Sequence, residues 1–425
     1  MRDHSHHIEL SRDEAIKALL SVCDFSPESE TVPIGEAVGR VLADDTCAQL
    51  DMPNCLTCRM DSVAVHWDDF ENGMPDTTDW VRGKDWEFAN TGVGMPEGFD
   101  TAIMVEHVIF SDDDTKVSFD ALPSARYAGT SPAGSKMHKG DVLVPAGTRI
   151  SPLLAAHILS GNNTEVNVLK KPRVTFIPTG NELVAAPGKD AGAIPRGMNI
   201  ETNSVMICGK IRQWGGEAIC PGILKDDPAA IENALKEAAA SSDIIVLNAG
   251  TSKGNDDFSL EVVEKIGRVL YHQTNHGPGH HSWCGLVDGV PVIGISGPPG
   301  GASFTTDFYL YPAMMKYFGQ DELTPTLKVR LGADLPGKKF KAKSDPLPAE
   351  TRPPETGEFY SVRLLKLTLA DDGVLEALPF DCAHWPAPAD AEDGACYYLM
   401  RTGIDIEPPK KGDFIEVSLR PDFLI

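Results

Sequence analysis

The sequence runs to 425 residues, 42% of them hydrophobic and 24% charged, the make-up of an ordinary globular chain of about two to four domains. With 38 Lys and Arg against 62 Asp and Glu its net charge is −24, which excludes nucleic acid and anionic membranes as partners unless a basic patch is concentrated locally. No apolar run nears the ~18 residues of a membrane span, the opening MRDHSHHIEL has no apolar signal core, and nine scattered cysteines read as reduced thiols, so a cytoplasmic protein is expected.

In chain order, Ser11 to Glu14 reads as a capping box ahead of the apolar stripe Ala15, Ile16, Leu19 and Leu20, predicting a short helix. IGEAVGRVLADDTCA (34–48) predicts a second short amphipathic helix running into a strand. Between 50 and 150, short runs such as VAVHW (63–67), AIMVEHVIF (102–110) and DVLVPAGTRI (141–150) alternate with Gly, Pro and Asp clusters, the texture of a small β domain. SPLLAAHILSG (151–161) reads as a helix ending at Gly161.

From 172 to 319 strand and helix alternate. RVTFIPTG (173–180), EAICPGIL (217–224), DIIVLNAG (243–250), RVLYHQT (268–274) and VPVIGISG (290–297) read as strands. Between them lie the helical SVMICGKIRQWGG (204–216), a helix started by Asp227 and Pro228, and FSLEVVEKIG (258–267). A last helix carries Phe304, Phe308, Tyr311, Met315 and Phe318 on one stripe. Such alternation predicts an α/β unit, a parallel sheet covered on both faces. Beyond Gly319, four strand-like runs with turn signals predict a small C-terminal β-barrel, interrupted by the Pro-rich loop SDPLPAETRPPETGE.

In a parallel sheet, ligands meet the loops at the carboxyl ends of the strands. Three loops stand out: Thr179-Gly180-Asn181-Glu182; Asn248 to Asp257, with Gly250, Ser252, Lys253 and Gly254; and Ser296-Gly297-Pro298-Pro299 with Gly300, Gly301 and Ser303. The last two combine glycines and hydroxyls between a strand and a helix, an arrangement suited to cradling a phosphate. None matches a Walker loop or a dinucleotide fingerprint. Taken singly, each is equally an ordinary tight turn, and Asp226 and Asp227 singly are helix-starting residues.

These blocks, with EAVGRVLADD, LDMP, MDSVAV, NTGVGMPEGFDTAIMVEH, KGDVLVPAGTRIS, ETNS and GGEAICPGILKDDP in the same order, resemble the molybdopterin molybdenumtransferase family (MoeA and the gephyrin E domain) over nearly the whole chain. The resemblance implies a homodimer of four-domain subunits. Its expected parts are a discontinuous linker and dimerisation domain (1–48 with 141–171), an inserted β domain (49–140), a molybdopterin-binding α/β domain (172–322) and a C-terminal β-barrel (323–425). It further implies an enzyme that inserts molybdate, or tungstate, into adenylylated molybdopterin with release of AMP, and a molybdopterin adenylyltransferase as a partner.

Carried across by residue, the resemblance makes Asp61, Glu182, Asp226 and Asp257 catalytic, and Glu182, Glu201, Asp226 and Asp257 ligands of Mg²⁺, a hard cation that bridges phosphate oxygens. Substrate contacts are then Thr91, Thr179, Gly180, Thr202, Asn203, Gly250, Ser252, Lys253, Gly254, His280, Ser296, Gly297, Pro298 and Pro299. Glu201 stands where the family has Asp, keeping the carboxylate.

The chain also departs from the family. The aromatic, Asp and Asn before Asp61 are replaced by CLTCR, and Ser62 replaces a glycine. The lysines of the family's KPGKP map onto Gln273, Gly277 and His280, and one proline of LPGNP is lost at Ser296. The histidines 272, 276, 280 and 281 are read as pH-dependent anion donors in place of lysines, with a transition-metal site that also takes in Cys284 as the competing reading. Cys55-Leu-Thr-Cys58 is a lone C-x-x-C, read as incidental thiols, and His4, His6 and His7 as a disordered terminus. Two other functions stay open: a non-catalytic molybdopterin-binding scaffold, and a paralogue acting on another phosphorylated ligand.

Overall fold

The computed structural model describes residues 9–188, 194–248, 258–321, 323–335, 359–379, 394–402 and 406–423. The chain divides into two compact units, one of residues 29–169 and the other of 1–28 with 170–425. The expected His4, His6 and His7 terminus and the Pro-rich loop lie outside the described residues.

The second unit opens the chain with α1 (Arg12–Val22), where Ser11 and Glu14 form the reciprocal capping box: the Ser11 N–H donates to the Glu14 carboxylate at 2.9 Å. In the unit 29–169, β1 (Ser29–Pro33) pairs antiparallel with a late strand, Glu165–Leu169, across the whole insertion. The helix expected over 34–48 does not form. Ile34–Glu36 makes a single 3₁₀ turn and Thr46–Cys47 a two-residue strand. Gly39 takes φ +84°, a left-handed conformation that ends any helix there. Ala37, Val41 and Leu42 are buried all the same, with Ala37 and Leu42 against Val144, Ile150 and Ile158, so the apolar spacing is met by a turn rather than a helix.

Within that unit, β2 (Ser62–Val65) is flanked antiparallel by β3 (Trp86–Ala89) and β4 (Thr101–Met104). Their core gathers Val63, Val65, Trp86, Ile103 and Phe119. The unit closes with α2 (Pro152–Ser160), capped by Ser151 and ending at Gly161, and β5 (Glu165–Leu169), the partner of β1.

The α/β part of the other unit is built on β6 (Arg173–Pro178), α3 (Asn203–Gln213), β7 (Glu217–Ile219), α4 (Pro228–Ala239), β8 (Ile244–Asn248), α5 (Ser259–Ile266), β9 (Gly267–His272), β10 (Trp283–Val287) and β11 (Val290–Ile295). The sheet order is β7-β6-β8-β11-β10-β9. The strands β7, β6, β8 and β11 run parallel, but β10 is antiparallel to both neighbours, so the sheet is mixed rather than wholly parallel. The cause is local: Asp288-Gly289, at φ +49° and +84°, closes a two-residue hairpin between β10 and β11, which permits only antiparallel pairing. Across that hairpin Trp283 lies opposite Gly294, where a Cβ would come within 2.1 Å of the indole. The buried strand residues Ile177, Ile245, Leu247 and Val292 pack with Leu235 and Val263 of the covering helices. As expected, Asp227 caps α4 by accepting from the Ala230 N–H at 2.7 Å, with Pro228 in the first turn.

The last helical stretch is α6 (Pro299–Thr305), a π-helical segment Thr306–Leu310 and α7 (Tyr311–Tyr317). Asp307, in the π segment, is buried and paired with the Lys210 ammonium of α3. The Tyr397 hydroxyl also donates to the Asp307 carboxylate, and Asp422 bridges Lys210 at 3.6 Å to Arg420 at 2.6 Å. The C-terminal strands are β12 (Thr326–Leu331), β13 (Phe359–Leu369), β14 (Leu375–Pro379), β15 (Gly394–Thr402) and β16 (Phe414–Leu419). They are joined in the order β13-β14-β12-β16-β15, and β15 pairs back onto β13, closing the expected barrel. Its interior holds Val329, Leu331, Leu365, Ala377, Cys396, Met400 and Ile415.

Candidate functional site

Pro178, Asn248 and Ile295 lie in one row across β6, β8 and β11. The three parallel strands therefore release their loops at a common edge. There a cleft of about 550 Å³, partly open to solvent, is lined by Glu182, Asn199, Glu201, Thr202, Asn203, Asn248, Gly297, Pro298 and Pro299, with Leu183 and Ile200. Its size suits an organic ligand larger than a single phosphate.

The floor is a carboxamide pair. The Asn203 Nδ2 group donates to Asn248 Oδ1 at 2.8 Å and to the Gly297 carbonyl at 2.8 Å, while Asn248 Nδ2 donates to the Ser296 carbonyl at 2.7 Å. These bonds tie the start of α3 and the ends of β8 and β11 into one rigid rim. Both Nδ2 protons of Asn203 are committed, and its Oδ1 is buried with no hydrogen-bond partner among the described residues.

The first loop is held from two sides. The Asn181 N–H donates to Asp226 Oδ2 at 2.8 Å, and the Asp226 N–H donates back to Asn181 Oδ1 at 3.3 Å. Lys225 Nζ adds bonds to the carbonyls of Asn181 and Leu183 at 3.2 and 3.3 Å. Glu182 then folds over Gly180, where a Cβ would meet its carboxylate at 2.9 Å. Asp226 thus clamps the turn that carries Glu182. Such hard oxygen donors fit a Mg²⁺ ion that keeps several waters; among the described residues no group of three or more ligating side chains is assembled.

The remaining expected residues fall as follows. Thr179 is fully buried and its hydroxyl donates to the Asn248 carbonyl at 3.1 Å, a strut between strands. Glu201 lines the cleft, but its carboxylate accepts from the Ser204 N–H at 2.9 Å and from the Ser204 hydroxyl, holding the first turn of α3. Asp61 and Thr91 belong to the unit 29–169. There Asp61 Oδ1 accepts from the Thr91 N–H at 2.9 Å and hydroxyl at 3.0 Å, which holds the carboxyl below its ordinary range. Gly250, Ser252, Lys253, Gly254 and Asp257 lie outside the described residues.

At His276 the structure departs from the expected anion donor. His276 is completely enclosed: its Nδ1–H donates to the Pro278 carbonyl at 3.1 Å and its Nε2 accepts from the Tyr309 hydroxyl at 2.7 Å. Burial pushes its pKa down to about 3, so it is neutral and supplies no charge to an anion. His280 turns its Nδ1 onto the Thr274 carbonyl. The described histidines and Cys284 form no metal-ligating cluster. The loop is instead stitched to the barrel, His276 lying opposite Tyr360 in a two-residue pairing with β13.

Asn199 and Lys225 do not stand out as site residues in the sequence, and Asn248 stands there only as the first residue of the second loop. A signal exists for Asn248, a polar side chain closing the apolar run IIVL. Lys225 gives none, because its partners are backbone carbonyls brought near only by folding.

The fold and cleft define a protein with a MoeA-type N-terminal region followed by a molybdopterin-binding-type α/β domain. A family model for the MoeA N-terminal region (domains I and II) matches residues 10–160, and one described as a probable molybdopterin binding domain matches residues 175–316. Together they span more than two thirds of the chain, which belongs to the MoeA family. A molybdopterin molybdenumtransferase of Haemophilus influenzae is 28% identical over 327 residues, covering 74% of this chain and 79% of the relative. Another from Nostoc is 26% identical over 328 residues, covering 71% and 72%. A MoeA crystal structure from Pyrococcus horikoshii superposes with a TM-score of 0.70 at 23% identity, over 97% of this chain and 100% of that one, which supports the fold.

Proposed function

We propose that the protein is a molybdopterin molybdenumtransferase of molybdenum cofactor biosynthesis. It binds adenylylated molybdopterin in the cleft at the ends of β6, β8 and β11 and inserts molybdate, or tungstate, with release of AMP. The observation that carries this is the cleft itself, lined by Glu182, Glu201 and Thr202 and floored by the hydrogen-bonded Asn203–Asn248 pair. Membership of the MoeA family supplies the chemistry.

In this function Glu182 and Asp226, joined by Asp257, would hold Mg²⁺, which when bound offsets negative charge on the phosphates. The residues of the chain do the rest. Asn203 and Asn248 orient the pterin, and the turn clamped by Lys225 and Asp226 keeps Glu182 at the mouth of the cleft. The protein would work as a cytoplasmic homodimer receiving its substrate from a molybdopterin adenylyltransferase.

The test is incubation of the purified protein with adenylylated molybdopterin, Mg²⁺ and molybdate, with AMP measured by chromatography. Release of AMP that needs both ions is expected. Tight binding without AMP release would transfer the protein to the scaffold reading, which the neutral, buried His276 at the family's lysine loop favours. No binding, with a different phosphorylated molecule co-purifying, would overturn both.

A further inference from the structure

Away from the cleft, the unit of 1–28 with 170–425 holds a group of charges that the proposed chemistry does not use. Lys210 of α3 and Asp307 of the π-helical segment are buried and paired. Arg420 Nε stands 4.0 Å from Asp307 Oδ2, Arg420 Nη2 lies 2.6 Å from Asp422 Oδ2, and that oxygen is 3.6 Å from Lys210 Nζ. The charges alternate in sign around a closed ring and cancel, an arrangement that offsets the desolvation of buried ions. The barrel braces the ring: the Tyr397 hydroxyl of β15 donates to Asp307, and Arg420 reaches the Gly394 carbonyl at the start of that strand at 2.9 Å. On the other side Gln213, the last residue of α3, donates to the Asp422 carbonyl at 3.4 Å.

The ring also reaches the cleft through α3. Lys210 follows Asn203 by two helical turns, about 10 Å along the axis, so both project from one side of the helix. At the cleft, Asn203 Nδ2 donates to the Gly297 carbonyl just ahead of α6; two turns along, Lys210 meets Asp307 just past the end of α6. Helix α3 and the α6–π stretch are thus fastened to each other twice, and α3 cannot roll about its axis without breaking a fastening.

We propose that Lys210 and Asp307 are positioning residues, which hold Asn203 on the cleft floor only while Tyr397 and Arg420 complete the ring from the barrel side. Once Tyr397 or Arg420 is lost, Asp307 keeps its charge in a buried site with one partner fewer. The pair then relaxes, and α3 turns with it. By reciprocity, a ligand seated on Asn203 and Asn248 fastens the barrel more tightly. The effect on ligands rests on the pterin reading; the setting of α3 in the free protein does not.

The experiment is amide hydrogen exchange on the full-length protein, read by mass spectrometry, for the wild type, Tyr397→Phe, Arg420→Gln and Arg420→Lys at a temperature well below every melting point. Peptides spanning α3 and residues 296–305 should exchange about 10-fold faster in Tyr397→Phe and Arg420→Gln, while those of α4 and α5, which carry no ring residue, keep wild-type rates. Arg420→Lys, which keeps the charge, should recover most of the protection. By calorimetry the first two variants should bind molybdopterin about 5-fold more weakly, although neither residue lines the cleft, and molybdopterin should slow exchange in β15 of the wild type. Exchange that rises equally in all these peptides, or a lowered melting temperature with α3 unchanged, makes the ring a stabiliser alone and overturns the proposal. A wild type that binds no molybdopterin defeats the pterin reading, and the exchange rates of the free protein still decide the ring.

Discussion

Acidification tests the histidine loop directly. His276 keeps off a proton because its ring is enclosed between Tyr309, Phe308 and the Pro278 carbonyl, with Arg12 and His280 adding positive charge nearby. Its pKa falls from the ordinary 6.5 to about 3. The unfolded chain therefore takes up a proton at a pH where the folded chain refuses one. The stabilising contribution is complete above the unfolded value and is lost as the pH falls through the window toward the folded one. At about pH 5, some 1.5 units into that window, the loss is about 2 kcal/mol, at ~1.4 kcal/mol per unit. Other groups titrate over the same range, so the measurement is a difference: urea unfolding of the wild type and of His276→Gln at neutral pH and at about pH 5. Glutamine still accepts from the Tyr309 hydroxyl but does not titrate. The wild type should lose about 2 kcal/mol more than the variant on acidification. Equal losses would mean that His276 is charged in the fold, and the loop would again be a candidate anion donor.

Three further outcomes follow from the packing. Lys210→Met leaves Asp307 in the interior without its ammonium, which should cost about 3–5 kcal/mol in thermal or denaturant unfolding; pairing it with Asp307→Asn should recover part of that loss. Gly294→Ala sets a methyl against the Trp283 indole and should destabilise by about 3 kcal/mol, whereas an unchanged midpoint would show that the hairpin shifts freely. Gly180→Ala sets a methyl against the Glu182 carboxylate and the Leu183 side chain, at a φ of +156° that an L side chain adopts only under strain. Calorimetry with molybdopterin and Mg²⁺ should then show ~10-fold weaker binding, accompanied by a lower melting temperature.

Local signals are legible from residues alone because their physics is local. The Ser11–Glu14 capping box, the Asp227-Pro228 helix start, the stop at Gly161 and the buried runs of β6, β8 and β11 each depend on neighbours a few residues away. The MoeA family is legible in the same way, since it is carried by short blocks and their order along the chain. Asp288-Gly289 is a local signal too: the pair announces a hairpin, and with it the reversed strand β10 that strand–helix alternation does not suggest. At 34–48 the apolar spacing is right and the expected element wrong, since burial of Val41 and Leu42 is served by a turn as well as by a helix once Gly39 turns left-handed.

The site is legible in its residue types and not in their duties. Thr179, Glu201 and His276 look in the sequence like ligand contacts, and folding gives each a protein partner as well: a strand carbonyl for Thr179, Ser204 for Glu201, which also lines the cleft, and Tyr309 for His276. Asn203 and Asn248 become a cleft floor only because β6, β8 and β11 end in the same row, and Lys210 meets Asp307 only because a π-helical turn rotates the acid inward. Sequence settles what is decided within a few residues, where the chain's own connectivity sets the distances. Partnerships between residues tens of positions apart depend on sheet order and helix packing, and these are decided by the burial of the whole core.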